Sequence, residues 1–373
     1  ILSPSATTMY IGIVDTADDS SNYVEIDNVS VKEVTRDNVP RIDYTGGGCP
    51  HILAEPQREN LIPYSEPTTN EGAAANITYE SFSWDIGFEN CVAFGDNSVI
   101  RYRYGGSVTN GTEYTLSAYV LMDDNSEPVI TNSSVSGDFS LNIGNTVGIG
   151  TNNANVSMGN NIWRVSKTSV VAQTTTNNGI IKYTTQSSTG FKVVGWQLEA
   201  GSYPTSYIPT SGSTVTRNQD VFTRDGISSL INDSEGVLFV EMAALADDGT
   251  YRTISLNKNS ANDEGVRVRF NTTTNTISGL VRDGGSGTAQ TTYQVSDTKD
   301  FHKVAFKYKS GESELWVDGV KRDTSADTFT LDSLNNLNFN QGTASDIFYG
   351  KVKQLQVYPT ALSDSELTIL TTP

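Results

Sequence analysis

The chain has 373 residues, room for two or three domains, and Asn, Thr, Ser and Gly are abundant in it. Its 43 acidic against 25 basic residues give a net charge of −18, which repels phosphate backbones and anionic lipid surfaces and argues against nucleic acid as a partner. No apolar run approaches the roughly 20 residues of a membrane span, and residues 1–10 lack the basic start and apolar core of a secretion signal, so no membrane insertion is expected.

The polar, turn-forming composition predicts many short strands and very little helix. Residues 1–36 read as two strands around the Asp18–Asn22 turn, with alternation at Val24, Ile26, Val29 and Val31 that slips once near Asn28. Two strands cannot bury a core. The segment is therefore expected to be the C-terminal strands of a preceding domain in a longer or processed protein, its apolar face covered by an upstream piece, a neighbouring subunit or the next domain. Residues 37–62, with Pro40, Gly46 to Gly48, Pro50 and Pro56, read as an extended connector, and because the two strands before it lack partners a chain starting near Asn60 is expected to be more soluble and no less stable than the whole. Over residues 63–211, runs such as Glu113 to Met122, Ile162 to Ala172 and Phe191 to Leu198 alternate with Gly- and Asn-rich turns at the spacing of an antiparallel sandwich. A second connector, 212–234, leads to a second sandwich at 235–373. There GVLFVEMAAL, YRTISLN, GVRVRFN, HKVAFKYK and SELWVDGV are strand-length runs, and Asp318-Gly319 is a type I′ hairpin signal. Ser363 and Glu366 form a capping box with Leu362 and Leu367 as its staple, predicting one short terminal helix.

Two stretches carry a family resemblance. GWQLEAGSYPTSYIPTSGSTVTRNQDV, residues 195–221, resembles the end of the carbohydrate-binding-type jelly-roll domains of tailed-bacteriophage tail and head-fibre proteins, and RIDYTGGGCPHILAEPQRENLIPYSE, from Arg41, resembles the connector that precedes them. FHKVAFKY, then ELWVDGV, then GKVKQLQVYPTALSDSEL is similar to the concanavalin A-like, laminin-G-like lectin family. The resemblance implies an all-β protein of tandem antiparallel β-sandwiches, a jelly roll followed by a concanavalin A-like sandwich.

Catalytic patterns are weak. His302 lies at the start of a core strand, and His51 follows Cys49 in a Gly-rich stretch that offers no preorganised base or oxyanion hole. Paired carboxylates on one strand face, needed by retaining glycosidases on the lectin-like fold, have no match in the second sandwich: Glu312 and Glu314 read as a solvated turn, and Glu25 and Asp27 lie outside it. The Lys353 to Tyr358 strand lacks the histidine of a lyase, so no catalytic residue is assigned. Asp123-Asp124-Asn125, Asp247-Asp248-Gly249 and Asp27 could contribute to a structural calcium site by composition, but none has the spacing of a dedicated loop, and no metal is assigned. Cys49 and Cys91 are read as free thiols, the alternative being one bridge from connector to domain if their Cα atoms approach within about 7 Å.

Sugars stack on aromatic faces while polar side chains bond their hydroxyls. Tyr102 and Tyr104 alternate with Arg101 and Arg103, so both tyrosines share one strand face, either a platform or core. Trp163 and Trp196 read as core. Trp84, in a polar setting, is expected near a groove, and either Trp316 or Val317 is expected to be core. Trp84, Tyr102, Tyr104 and Trp316 are thus the candidate glycan-binding residues. The reading is a non-catalytic virion structural or host-recognition protein, a fibre or appendage subunit at the virion surface or otherwise extracellular. It is expected to bind cell-surface glycan, to assemble with other virion proteins and to form a homo-oligomer. The alternatives are the non-catalytic carbohydrate-binding region of a secreted polysaccharide-degrading enzyme and a purely architectural decoration or filament subunit.

Overall fold

Strand Glu113–Met122 sets the pattern of the first sandwich: Leu116, Ala118 and Val120 enter one core while Tyr119 turns to the opposite face. The computed structural model describes residues 40–44, 49–69, 73–75, 77–95, 100–104, 106–144 and 152–373, and residues 37–373 form one unit. The reading of residues 1–36 lies outside the described residues.

The first sandwich packs a six-stranded sheet, in the order Asn152–Ser157, Ile162–Val170, Glu113–Met122, Phe191–Ala200, Asn90–Phe94, Ile77–Ser81, on a four-stranded one, Ala73–Ala75, Ile100–Tyr104, Asn178–Lys182, Ser140–Asn142. Leu141 and Ile180 of the smaller sheet, with Phe139 just before its Ser140–Asn142 strand, meet Val165, Val193 and Trp196 of the larger. One bulge shapes this core. Pairing of Phe191–Ala200 with Glu113–Met122 slips between Val194 and Gln197, where Gly195 adopts φ +65° and a Cβ would lie 2.6 Å from the Tyr119 ring. The slip lets Val193, Trp196 and Leu198 all face the core and turns Gln197 and Glu199 the other way.

The second sandwich pairs a seven-stranded sheet, Arg41–Asp43, His51–Ala54, Gly350–Tyr358, Glu235–Ala244, His302–Lys309, Ser313–Val317, Val320–Ser325, with a six-stranded one, Thr223–Asp225, Asn336–Asn338, Arg252–Asn257, Gly265–Phe270, Thr276–Asp283, Ser286–Gln294. All these ladders are antiparallel, so the expected all-β architecture of antiparallel sandwiches is the observed one. The sheets close so tightly that a Cβ on Gly279 would collide with the Phe306 ring. The Asp318-Gly319 turn has both residues at positive φ, 51° and 79°, as a type I′ hairpin requires.

Two stretches expected as connectors do more than connect. Arg41–Asp43 and His51–Ala54 add two strands to the seven-stranded sheet, with Ile52 opposite Val352, and Thr223–Asp225 adds an edge to the other sheet. Between these additions Arg58–Asn60 pairs with Val215–Arg217, so the chain leaves for the first sandwich and returns from it side by side. The first sandwich is an insertion between strands of the second.

Helix Asp364–Thr371 ends the chain behind the predicted box: Ser363 accepts from the Glu366 N–H, and the Glu366 carboxylate accepts from the Ser363 N–H at 2.8 Å. It lays Leu367 on the outer face of the seven-stranded sheet against Phe239, Ala305 and Trp316. No helix among the described residues is long and apolar enough to cross a membrane.

Candidate functional site: a cleft between the sandwiches

The bulge at Gly195 aims Gln197 and Glu199 at the loop that follows their strand. Glu199 accepts from the Thr205 N–H at 3.0 Å and from the Thr205 hydroxyl at 2.7 Å, while Gln197 accepts from the Ile208 N–H at 2.7 Å and donates to Glu199. Asn60 completes the brace, donating to the carbonyls of Trp196 and Ile208 and accepting from the Leu198 N–H. The Gln-Leu-Glu signature is therefore a device for holding loop 201–210, with every partner buried where water cannot substitute.

That loop is tied to the second sandwich by two arginines and two carboxylates. Glu55 takes Arg41 and Arg217, each at 2.7 Å, and accepts from the Ser206 N–H at 2.9 Å; Asp220 takes Arg41 and the Glu55 N–H. Burial works against the Arg41 charge, but Asp220 and Glu55 outweigh it and raise its pKa above the ordinary arginine value. Nearby, Arg58 lies over the Tyr203 ring, Arg252 pairs with Asp248 and donates to the Tyr349 carbonyl, and the Tyr349 hydroxyl donates to Gln219. Removing one member of this partly buried set leaves its partners uncompensated, at less than the about 3–5 kcal/mol of a fully buried pair because Arg41, Arg217 and Asp220 keep some access to water.

This clasp forms one flank of a cleft of about 380 Å³ between the two sandwiches. Ile42, Val156, Met158 and Pro204 give it apolar walls, and Tyr119 with Tyr207 supplies aromatic surface braced by Phe88 at ring separations of 5.4 and 5.2 Å. Arg164 stands 5.6 Å from the Tyr119 ring centre and donates to the Thr205 carbonyl at 2.6 Å; Lys351 faces the cleft from the second sandwich. Apolar walls with a few fixed polar groups suit an amphipathic ligand such as a sugar.

Of the residues singled out from sequence, Trp84 and Trp316 are buried away from the cleft. Trp84 is 3% exposed, packed on Phe82 with its indole N–H on the Asn90 carbonyl, so it is not at a groove surface. Trp316 is also buried, its indole N–H on Glu314, because the terminal helix covers the outer face; Val317 fills the inner core, so both alternating positions are interior. Tyr102 and Tyr104 lie on strand Ile100–Tyr104, opposite Ile180 and Asn178, and their side chains are outside the described residues. Trp196 is core, as expected, and Trp163 packs partly buried against it. The cleft residues were missed because they come from both sandwiches and both connectors. The one local signal was the Gln-Leu-Glu motif with Arg41 upstream.

His302 is held by Asp318 at 2.6 Å and the Asp297 carbonyl at 3.0 Å. His51 packs edge-on to Phe301, with Nε2 3.4 Å from Asp43, and burial lowers its pKa despite that carboxylate. Glu314, expected in a solvated turn, is buried and paired with Lys307 and Lys321. Lys307 and Lys309 hold the exposed Glu312 carboxyl down to about 2. Cys49 and Cys91 are free, one exposed and one buried, so the alternative bridge is absent. Among the described residues no three His, Cys, Asp or Glu side chains gather as metal ligands: Asp123 pairs with Lys192, Asp124 accepts from Ser126, Asp247 accepts from the Asn275 N–H, and Asp27 lies outside them.

These layers define an all-β protein of antiparallel sandwiches. Residues 238–368 match the family model of the concanavalin A-like lectin/glucanases superfamily, so a concanavalin A-like domain is present in the second sandwich. No curated protein matches the chain. Similar solved structures include the CBM40 of Ruminococcus gnavus IT-sialidase bound to alpha2,3 sialyllactose, at 17% identity and TM-score 0.35 over 40% of this chain and 92% of that one. A heptameric SAP-like pentraxin from Limulus polyphemus is similar at 11% identity and TM-score 0.31 over 37% and 70%. The receptor binding domain of botulinum neurotoxin C/D mosaic serotype is similar at 13% and 0.32, over 40% of each chain.

Proposed function

We propose that the chain is a non-catalytic glycan-binding subunit of the surface apparatus of a tailed phage, with the inter-sandwich cleft as the sugar site. The observation that carries the glycan reading is the cleft itself, apolar and aromatic walls carrying arginine and lysine, beside a sandwich that matches the concanavalin A-like lectin family. The phage assignment is supported by the two segments that flank the first sandwich, Arg41 onward and residues 195–221, which resemble phage fibre proteins. The absence of catalysis is supported by the engagement of His51, His302, Glu312 and Glu314 in packing or ion pairs. Fold alone does not fix function, so the site must decide.

A glycan array with the native chain and with Val156→Trp tests the reading. Val156 is 54% exposed on the cleft wall, so an indole there fills the cleft without opening a core. The expected result is binding by the native chain and its loss in the variant, with no depolymerised product. Binding unchanged in the variant refutes the cleft as the site, and turnover refutes the non-catalytic assignment. A gene neighbourhood without tail or fibre genes refutes the phage role.

A further inference from the structure

The cleft carries cations from both sandwiches. Arg41 is neutralised by Glu55 and Asp220, and of the two carboxylates on the wall Asp43 lies beside His51 and Glu55 is taken by Arg41 and Arg217. Arg164 and Lys351 differ: among the described residues neither has a carboxylate within ion-pair distance, in a chain with 43 acidic residues. Arg164 uses Nη2 on the Thr205 carbonyl and the Ser117 hydroxyl, its Nε is buried without a hydrogen-bond partner, and its Nη1 makes no hydrogen bond among the described residues. A partly buried guanidinium with unmet donors is costly unless an acceptor completes it. Its planar fork, fixed over Tyr119, is suited to an oxyanion, and Lys351 on the opposite sandwich adds a second positive charge.

We propose that the cleft holds the anionic group of an acidic sugar, a carboxylate or a sulfate, between Arg164 of the first sandwich and Lys351 of the second. This rests on the glycan reading above and names the class of sugar. Ile42, Val156 and Met158 take the C–H faces of the ring, and the cleft's size falls within the ordinary range for ligand pockets. Every direct contact is supplied by one or other sandwich, so the clasp of Arg41, Glu55, Arg217 and Asp220 sets the spacing of the two cations.

Calorimetry with three probes tests it: a glucuronate-containing disaccharide, its carboxyl-reduced neutral form, and a sulfated neutral disaccharide. At least one anionic probe is expected to bind about tenfold more tightly than the neutral one, with that preference shrinking as salt rises. Which anionic probe binds distinguishes carboxylate from sulfate. Lys351→Gln and Arg164→Gln are each expected to collapse the preference; the Lys351 side chain makes no hydrogen bond among the described residues while its backbone stays in the ladders to Leu53 and Ala243, so its variant keeps the test decisive if the arginine variant unfolds. Equal binding of neutral and anionic probes overturns the inference and leaves the glycan reading standing. No binding of any probe, with array hits confined to neutral glycans, also overturns the inference alone; no binding anywhere overturns both.

Discussion

Lys167 sits in the first sandwich with its side chain fully buried, its Nζ donating across the core to the Leu141 carbonyl of the facing sheet at 3.0 Å. Burial pushes its pKa down to about 8. Below that value both folded and unfolded chains carry the proton and the cost of burying the charge is present in full. Between about 8 and the ordinary lysine value the unfolded chain binds more protons than the folded one, so this residue's contribution to stability improves as pH rises. The buried Cys91 thiol, pushed up to about 11, acts in the opposite direction, and a difference between variants cancels it. Melting Lys167→Met beside the native chain is therefore expected to show the variant's relative stability falling from pH 7 to pH 10; a difference independent of pH would mean that the lysine is solvated. Burial of this kind was not legible at the residue scale. Trp84 looked exposed because its neighbours in sequence are polar, yet Phe82 and the Asn90 carbonyl enclose it through the fold.

The terminal helix was legible in the sequence because every part of its start is local: Ser363 and Glu366 lie three residues apart, and Leu362 and Leu367 both reach the same outer cluster. Its effect on Trp316 was not. Alternation along Ser313–Val317 makes one face interior on the assumption of a single core, whereas the helix supplies a second cover from 50 residues further along the chain. Leu367→Ala removes the centre of that cover and is expected to cost about 3 kcal/mol, measured by denaturant unfolding. A loss within error of zero would mean that the outer face is held by something other than the helix. The Gly195 bulge shows the same division: the string Gly-Trp-Gln-Leu-Glu marked a family, but why Gln and Glu are needed there became evident only with loop 201–210 folded onto them.

At the scale of the molecule, strand runs and turn chemistry made both sandwiches readable, since period-two patterning is set within each strand. Their interleaving was hidden, because the pairing of Ile52 with Val352 spans most of the chain and short Pro- and Gly-flanked strands look like linker. A chain beginning near Asn60 lacks Arg41–Asp43, His51–Ala54 and Glu55, and so loses two strands and the centre of the clasp. It is expected to melt at lower temperature and, with the Gly350–Tyr358 edge uncovered, to self-associate in size-exclusion chromatography. An unchanged melting point and a monomeric profile would sink the assignment of those strands to the second sandwich. The side-by-side pairing of Arg58–Asn60 with Val215–Arg217 also has a mechanical meaning. Tension applied between residue 40 and residue 373 is carried by the second sandwich and short-circuited across that pair, so the first sandwich hangs outside the line of force and keeps its shape until its host gives way.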